Sequence, residues 1–183
     1  MFDKEIVIDG KGHLLGRLAA AVAKELLNGQ RVVVVRAEEI IKSGVLYKNK
    51  MKFIKWCSLK SNTNPRHGGP YHCKSPARIF WRVVRGMVRH KTARGNAALE
   101  KMKVFEGMPY PYSHKKKRLI PAALKCLRLK NGRKWTRLGD LSTAIGWTKG
   151  DVLGRLEEKR KTAAGTYFQR KVISSFFIHI QTK

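Results

Sequence analysis

The chain has 183 residues, a length that suits one domain with extensions, and its hydrophobic share of 43% is enough to bury a core. Forty Lys and Arg stand against 12 Asp and Glu, a net charge of +28. A compact fold with that imbalance repels itself unless an anion neutralises it, and a polyphosphate backbone does so by releasing condensed counterions.

The start of the chain has no signal-peptide or transit-peptide pattern, and no run approaches the roughly 18 apolar residues that span a bilayer. Cys57, Cys73 and Cys126 have unrelated spacings. They argue for a reducing compartment rather than a disulfide framework.

Glu5-Ile6-Val7-Ile8-Asp9 predicts a short strand, and Gly10-Lys11-Gly12-His13 a turn. A helix is expected over 14–27, with Leu15, Leu18, Ala19, Val22 and Leu26 on one face. Asn28-Gly29 stops it, because both residues tolerate left-handed backbone. Next, the valines of Arg31-Val32-Val33-Val34-Val35-Arg36 predict a strand covered on both faces, as in a parallel sheet. Strand, helix and strand at this spacing make a βαβ unit.

A helix is predicted over 47–60, with Tyr47, Met51 and Ile54 on one side and Lys48, Lys52 and Lys55 on another. Residues 62–76 hold Asn-Pro, Gly-Gly-Pro and Ser-Pro and predict a long loop. Ser75-Pro76 predicts a new helix, with Ser as N-cap and Pro in the first turn, running to about residue 90. At the helical advance of about 100° per residue, Arg78, Arg82, Arg85 and Arg89 form one stripe with Trp81 at its edge. Ile79, Phe80, Val83, Val84, Met87 and Val88 then face the core.

Four guanidinium groups and an indole suit bidentate phosphate contacts and base stacking. A merely solvated helix face carries Glu partners one turn away. This one has none, since no Asp or Glu occurs from 40 to 99, nor from 107 to 139. A short helix is expected over 93–102 and a strand over 103–105. Pro109-Tyr110-Pro111-Tyr112 reads as a break. The cluster His114-Lys115-Lys116-Lys117-Arg118 fits a nuclear-import signal, a phosphate contact, or both. Helices are expected over 138–147 and 151–161.

Other chemistry has weaker support. Gly10-Lys11-Gly12-His13-Leu14-Leu15-Gly16 follows a strand and opens a helix, close to a dinucleotide fingerprint, with Glu38 where a ribose-binding acid would sit. Its spacing is one residue too long, and no further βαβ units complete a cofactor domain. The alternative is a tight turn whose helix amides, with Arg17, hold an RNA phosphate. Cys57, His67, His72 and Cys73 match no common zinc module. No G-x-S-x-G elbow occurs. Of the acid pairs, Glu157-Glu158 reads as ordinary helix charge and Glu38-Glu39 as a strand end. No catalytic residue, metal, cofactor, small-molecule substrate or membrane partner is expected.

Val7-Ile8-Asp9-Gly10 followed by Gly12-His13-Leu14-Leu15-Gly16-Arg17-Leu18-Ala19 resembles the opening of the universal L-thirteen family of large-subunit ribosomal proteins. Asn62-Thr63-Asn64-Pro65, Gly69-Pro70-Tyr71-His72, the run from Pro76 to Gly86, His90-Lys91-Thr92 and Arg94-Gly95 resemble its archaeal and eukaryotic branch. Val104-Phe105-Glu106-Gly107, Lys115-Lys116-Lys117-Arg118, Pro121-Ala122-Ala123-Leu124-Lys125 and Leu156-Glu157-Glu158-Lys159-Arg160-Lys161 continue the resemblance. It covers roughly residues 5–161, in order.

The resemblance implies a three-layer α/β/α fold with a small parallel sheet and basic loop and helical C-terminal extensions. It implies a structural, non-catalytic constituent of the large ribosomal subunit. Large-subunit ribosomal RNA and neighbouring ribosomal proteins are the implied partners. An α/β RNA-binding domain is expected over 1–147 and a helical, apolar extension over 148–183. The cytoplasmic ribosome is the expected location, with nucleolar passage during assembly if the source is eukaryotic.

The expected RNA contacts are His13, Arg17, Arg66, His67, His72, Arg78, Trp81, Arg82, Arg85, Arg89, His90, Lys91, Arg94, Lys115, Lys116, Lys117 and Arg118. Three departures stand out from the family pattern: an extra residue near His67-Gly68-Gly69, Arg89 in place of a common Pro, and a shorter apolar end from 166 to 183. Such an end is expected to pack on a neighbouring protein or on the chain's own body. A regulatory binder of messenger RNA would use the same basic surface.

Overall fold

A computed structural model describes residues 4–60 and 70–181, with side chains as far as Val172. It divides into two compact units, Met1–Thr148 and Lys149–Lys183. In the first, the elements run β1 (Ile6–Asp9), α1 (Leu15–Leu27), β2 (Val32–Val35), β3 (Ile41–Ser43), α2 (Leu46–Cys57) and α3 (Pro76–Met87). They continue with α4 (Ala93–Glu100), β4 (Met102–Val104), α5 (Tyr110–Ser113), α6 (Lys125–Arg128), β5 (Trp135–Arg137) and α7 (Leu138–Ala144). The second unit is one helix, α8 (Gly150–Gln181).

The expected βαβ unit forms. β1, β2 and β4 make a parallel sheet in that order, with Ile6 opposite Val32 and Val32 opposite Met102. All four β2 valines are buried. Removing a valine side chain from water contributes roughly 1.5–3 kcal/mol, so this short strand anchors both faces. Ile8, Val32 and Val34 pack with Leu18, Val22 and Leu26 of α1 and with Phe80 and Val84 of α3. On the other face, Val7, Val33 and Val35 meet Tyr112 of α5, with Phe105 and Met108 beside it.

That second covering is the one-turn helix α5, where Pro109-Tyr110-Pro111-Tyr112 reads as a break. Proline fits the first helical turn because the N–H it lacks has no partner there anyway.

One strand pairing escapes local pattern. β3 and β5 form a two-stranded antiparallel sheet, joining Ile41 to Arg137 and Ser43 to Trp135. Buried Asn49 of α2 ties this sheet to its helix, donating through Nδ2 to the carbonyl of Ser43 at 3.2 Å and to Thr136 Oγ1 at 3.3 Å. Glu38 and Glu39 occupy a 3₁₀ turn after β2, not a strand end.

α3 is shorter than expected. It stops at Met87, and Val88 is extended and buried. Met87, expected in the core, is therefore 44% exposed at the helix end. The next helix starts at Thr92, whose hydroxyl accepts from the Gly95 amide at 3.2 Å, an N-cap the sequence reading did not identify. Gly95 is required there: a Cβ would lie 2.0 Å from the Arg89 carbonyl oxygen.

α8 extends well beyond its predicted 151–161 span. Glu157 and Arg160 pair across its first turns at 2.6 Å. Of the apolar end, the side chains beyond Val172 lie outside the described residues. No described helix is long and apolar enough to cross a membrane.

Candidate nucleic-acid interface

The glycine turn after β1 is held entirely by protein partners. Gly10 donates to the Val35 carbonyl at 2.8 Å, Gly12 to Glu39, His13 to Gly10, and Leu14 to Ala123 at 2.8 Å. The Lys11 amide donates to Asp9 Oδ1 at 3.1 Å. Gly10 packs so closely that a Cβ would sit 2.9 Å from the Arg36 carbonyl oxygen, and Gly12 has φ of +75°. The turn needs glycine for these reasons, and its amides are not offered to a pyrophosphate. Glu38, the supposed ribose-binding acid, instead accepts the Gly107 amide at 2.9 Å.

His13 corrects the expected set of RNA contacts. Its side chain is fully buried. Nδ1 lies 3.0 Å from the Lys11 carbonyl, and Nε2 accepts the Ile120 amide at 3.0 Å. Accepting at Nε2 fixes the proton on Nδ1, so the ring is neutral, and burial lowers its pKa. With both nitrogens engaged, no edge remains for RNA. Arg17, one helical turn on, is exposed.

β1, just before this turn, holds the end of the basic cluster. The Arg118 amide donates to Val7 and its carbonyl accepts from Asp9, so the chain at Arg118 runs parallel to β1 beside Ile8. Lys125 donates its amide to Gly12 at 2.9 Å. Lys115 pairs with Glu5 at 2.8 Å and lies 5.1 Å from the Tyr112 ring centre, and the hydrogen bond to Glu5 raises its pKa. Lys117 donates to the Ser113 carbonyl. Lys116 and Arg118 are exposed.

On α3, Phe80 and Val84 are fully buried while Arg78 is exposed and Arg82 and Arg85 are half-buried. Arg89 lies beyond the helix end and is exposed, as are Lys91 and Arg94, and His90 is half-buried. α3 starts where expected, with Ser75 at the N-cap position and Pro76 in the first turn. Ser75 makes no side-chain cap; the Glu106 carboxylate reaches the Ala77 amide at 3.4 Å instead. An acid at a helix N-terminus is favoured by the helix dipole. Arg78 and Trp81 therefore border a groove that also holds Phe105 and Glu106. Trp81 is half-buried against the core.

Arg82 has local partners. It lies 5.0 Å from the centre of the Trp56 ring and donates to the Tyr71 carbonyl. His72 meets Trp56 edge to face at 4.2 Å, and its Nε2 donates to the Leu59 carbonyl at 3.3 Å. These contacts draw α2, α3 and residues 70–72 together. Arg66 and His67 lie outside the described residues. The sequence reading missed Trp56 and Lys42 here; the available signal was their position inside the acid-free stretch. No cluster of His, Cys, Asp or Glu fit to hold a metal occurs among the described residues.

The family described as Ribosomal protein L13 matches residues 3–111. The chain is also similar to the large ribosomal subunit protein uL13 of Tetrahymena thermophila. The two are 55% identical over 172 residues, covering 94% of this chain and 86% of that protein.

Proposed function

Because the chain belongs to the ribosomal protein L13 family, we infer that it is a structural constituent of the large ribosomal subunit, built into cytoplasmic ribosomes, and not an enzyme. It binds and stabilises large-subunit ribosomal RNA, with neighbouring ribosomal proteins beside it. The observation that carries the RNA reading is the surface of α3 and the segment after it. Arg78, Arg82, Arg85, Arg89, Lys91 and Arg94 project from a stretch with no acid of its own, while the opposite side of the helix is locked into the core by Phe80 and Val84.

Rigid backing of this kind matters for phosphate recognition. Because the helix backbone is already fixed, binding has to order only the side chains, and the phosphate contacts set position rather than read sequence. The cluster Lys115, Lys116, Lys117 and Arg118, braced on the edge of β1 through the Arg118 backbone, and Arg17 on α1 supply further contacts. His90 and His72 add contacts beside these cations. Passage through the nucleolus during assembly fits the same basic cluster.

Sedimentation of a cell lysate on a sucrose gradient, before and after a high-salt wash, tests the reading. The protein should travel with the large subunit and survive the wash. Recovery mainly in light fractions, or release by modest salt, would instead favour a messenger-RNA-bound regulatory role.

A further inference from the structure

Between α2, β3 and α3 lies an open cleft of about 350 Å³. Lys42, Lys52 and Arg82 supply its charge, and the rings of Phe53 and Trp56 its aromatic wall. Ile79, Val83 and Cys73 complete the walls. Every lining residue falls between 40 and 99, where the chain has no Asp or Glu.

Among the described residues, the charges in this cleft have no ion-pair partner. Neither Lys42 nor Lys52 pairs with a carboxylate among the described residues. Lys42 is half-buried, and its pKa is lowered first by that burial and then by the charge of Lys52. A partly desolvated cation beside a second cation is a local electrostatic cost that an anion between them removes. The aromatic component is organised too. Phe53 and Trp56 stand 5.0 Å apart at 70°, and the Arg82 guanidinium lies over the Trp56 ring. Aromatic rings and arginine planes are the surfaces on which unstacked bases settle.

We propose that this cleft receives a single unstacked nucleotide of ribosomal RNA, its phosphate between Lys42 and Lys52 and its base against Phe53, Trp56 and Arg82. The assignment rests on the ribosomal RNA reading above and sharpens it from a charged surface to a seat for one residue. A base-paired helix does not fit, because its bases are already stacked and its groove presents no single free ring. An acidic peptide would meet the lysines and leave the aromatic wall unfilled. The small volume, near the lower end of the ~300–1,000 Å³ range of ligand sites, suits one nucleotide.

Photocrosslinking tests this with the full-length protein and deproteinised large-subunit ribosomal RNA, irradiated, digested with nuclease and trypsin, and read by mass spectrometry. A mononucleotide adduct is expected on the peptide Phe53-Ile54-Lys55 or Trp56-Cys57-Ser58-Leu59-Lys60. RNA should also shield Cys73 from alkylation. The paired change K42Q and K52Q, scored on Trp56-Cys57-Ser58-Leu59-Lys60 and on the longer peptide Met51 to Lys55 that the lost cleavage site leaves, should lower adduct yield at least fivefold, and K42R with K52R should restore it. Both lysines lie outside the buried core, so the variants keep the fold. RNA that binds while adducts form only on other peptides overturns the nucleotide seat and leaves the RNA reading intact. Loss of all RNA binding by the unaltered protein overturns both. Shielding of Cys73 by poly-glutamate but not by RNA overturns the proposal in favour of an acidic protein partner.

Discussion

The Nε2 atom of His13 accepts the backbone N–H of Ile120 at 3.0 Å, across 107 residues of chain. One buried imidazole thus joins the glycine turn to the strap that carries the basic cluster. His13→Ala removes the partner of a buried amide and opens a cavity. It should cost about 2–4 kcal/mol in urea unfolding, from the unsatisfied amide and the lost packing together.

The same histidine predicts a pH dependence. Burial lowers its folded-state pKa below the ordinary 6.5. Between those two values the unfolded chain binds the proton and the folded chain does not, so this contribution is complete above pH 6.5 and declines as the pH falls below it. Unfolding midpoints measured from pH 7.5 downward should show this decline, and a His13→Gln chain should show less of it.

Arg36 is the described non-glycine residue with left-handed backbone, at φ of 55°. It is held there by two contacts with the Asp9 carboxylate, one of them Nε to Oδ1 at 2.9 Å. Arg36→Ala loses the pair and keeps the strain, whereas Arg36→Gly loses the pair and relieves the strain. Thermal unfolding should rank the glycine variant above the alanine variant by about 1 kcal/mol.

Two glycines should respond in opposite directions. Gly95→Ala places a methyl group 2.0 Å from the Arg89 carbonyl oxygen and should destabilise by more than ~3 kcal/mol or abolish folding. Gly86→Ala on α3 meets nothing within 4 Å and should gain up to ~1 kcal/mol from helix propensity. Matched denaturant titrations of the two chains check the contrast.

Arg78→Gln with Arg85→Gln should weaken binding to large-subunit RNA and flatten its salt dependence, each lost phosphate contact reducing the slope by roughly 0.7–0.9. Binding measured at several salt concentrations, with an unchanged slope, would remove α3 from the interface.

Local chemistry made much of this molecule legible. Four adjacent valines announce a strand buried on both faces, and Asn28-Gly29 marks the end of α1, with Gly29 at φ of 103°. Arg82 and Phe80 separate onto different sides of α3 by helical phase alone. The remainder depends on distant parts of the chain. β3 and β5 are three residues each, and the pairing of Ile41 with Arg137 leaves no local mark. His13 reads as a polar turn residue until Ile120 is seen against it. Trp56 reads as an ordinary helix aromatic until Arg82 and His72 close around it.

The parallel alignment of Arg118 beside Ile8 has a consequence for synthesis on the ribosome. The first strand emerges early, but the segment that shields its outer edge follows 110 residues later. An exposed strand edge is a template for wrong pairing, and contacts this remote close slowly. The nascent protein thus spends most of its translation with β1 open on that side. Its polycationic strap arrives only as the sheet is sealed, so the dense positive charge of that region becomes fixed in space at the moment the fold no longer needs protection.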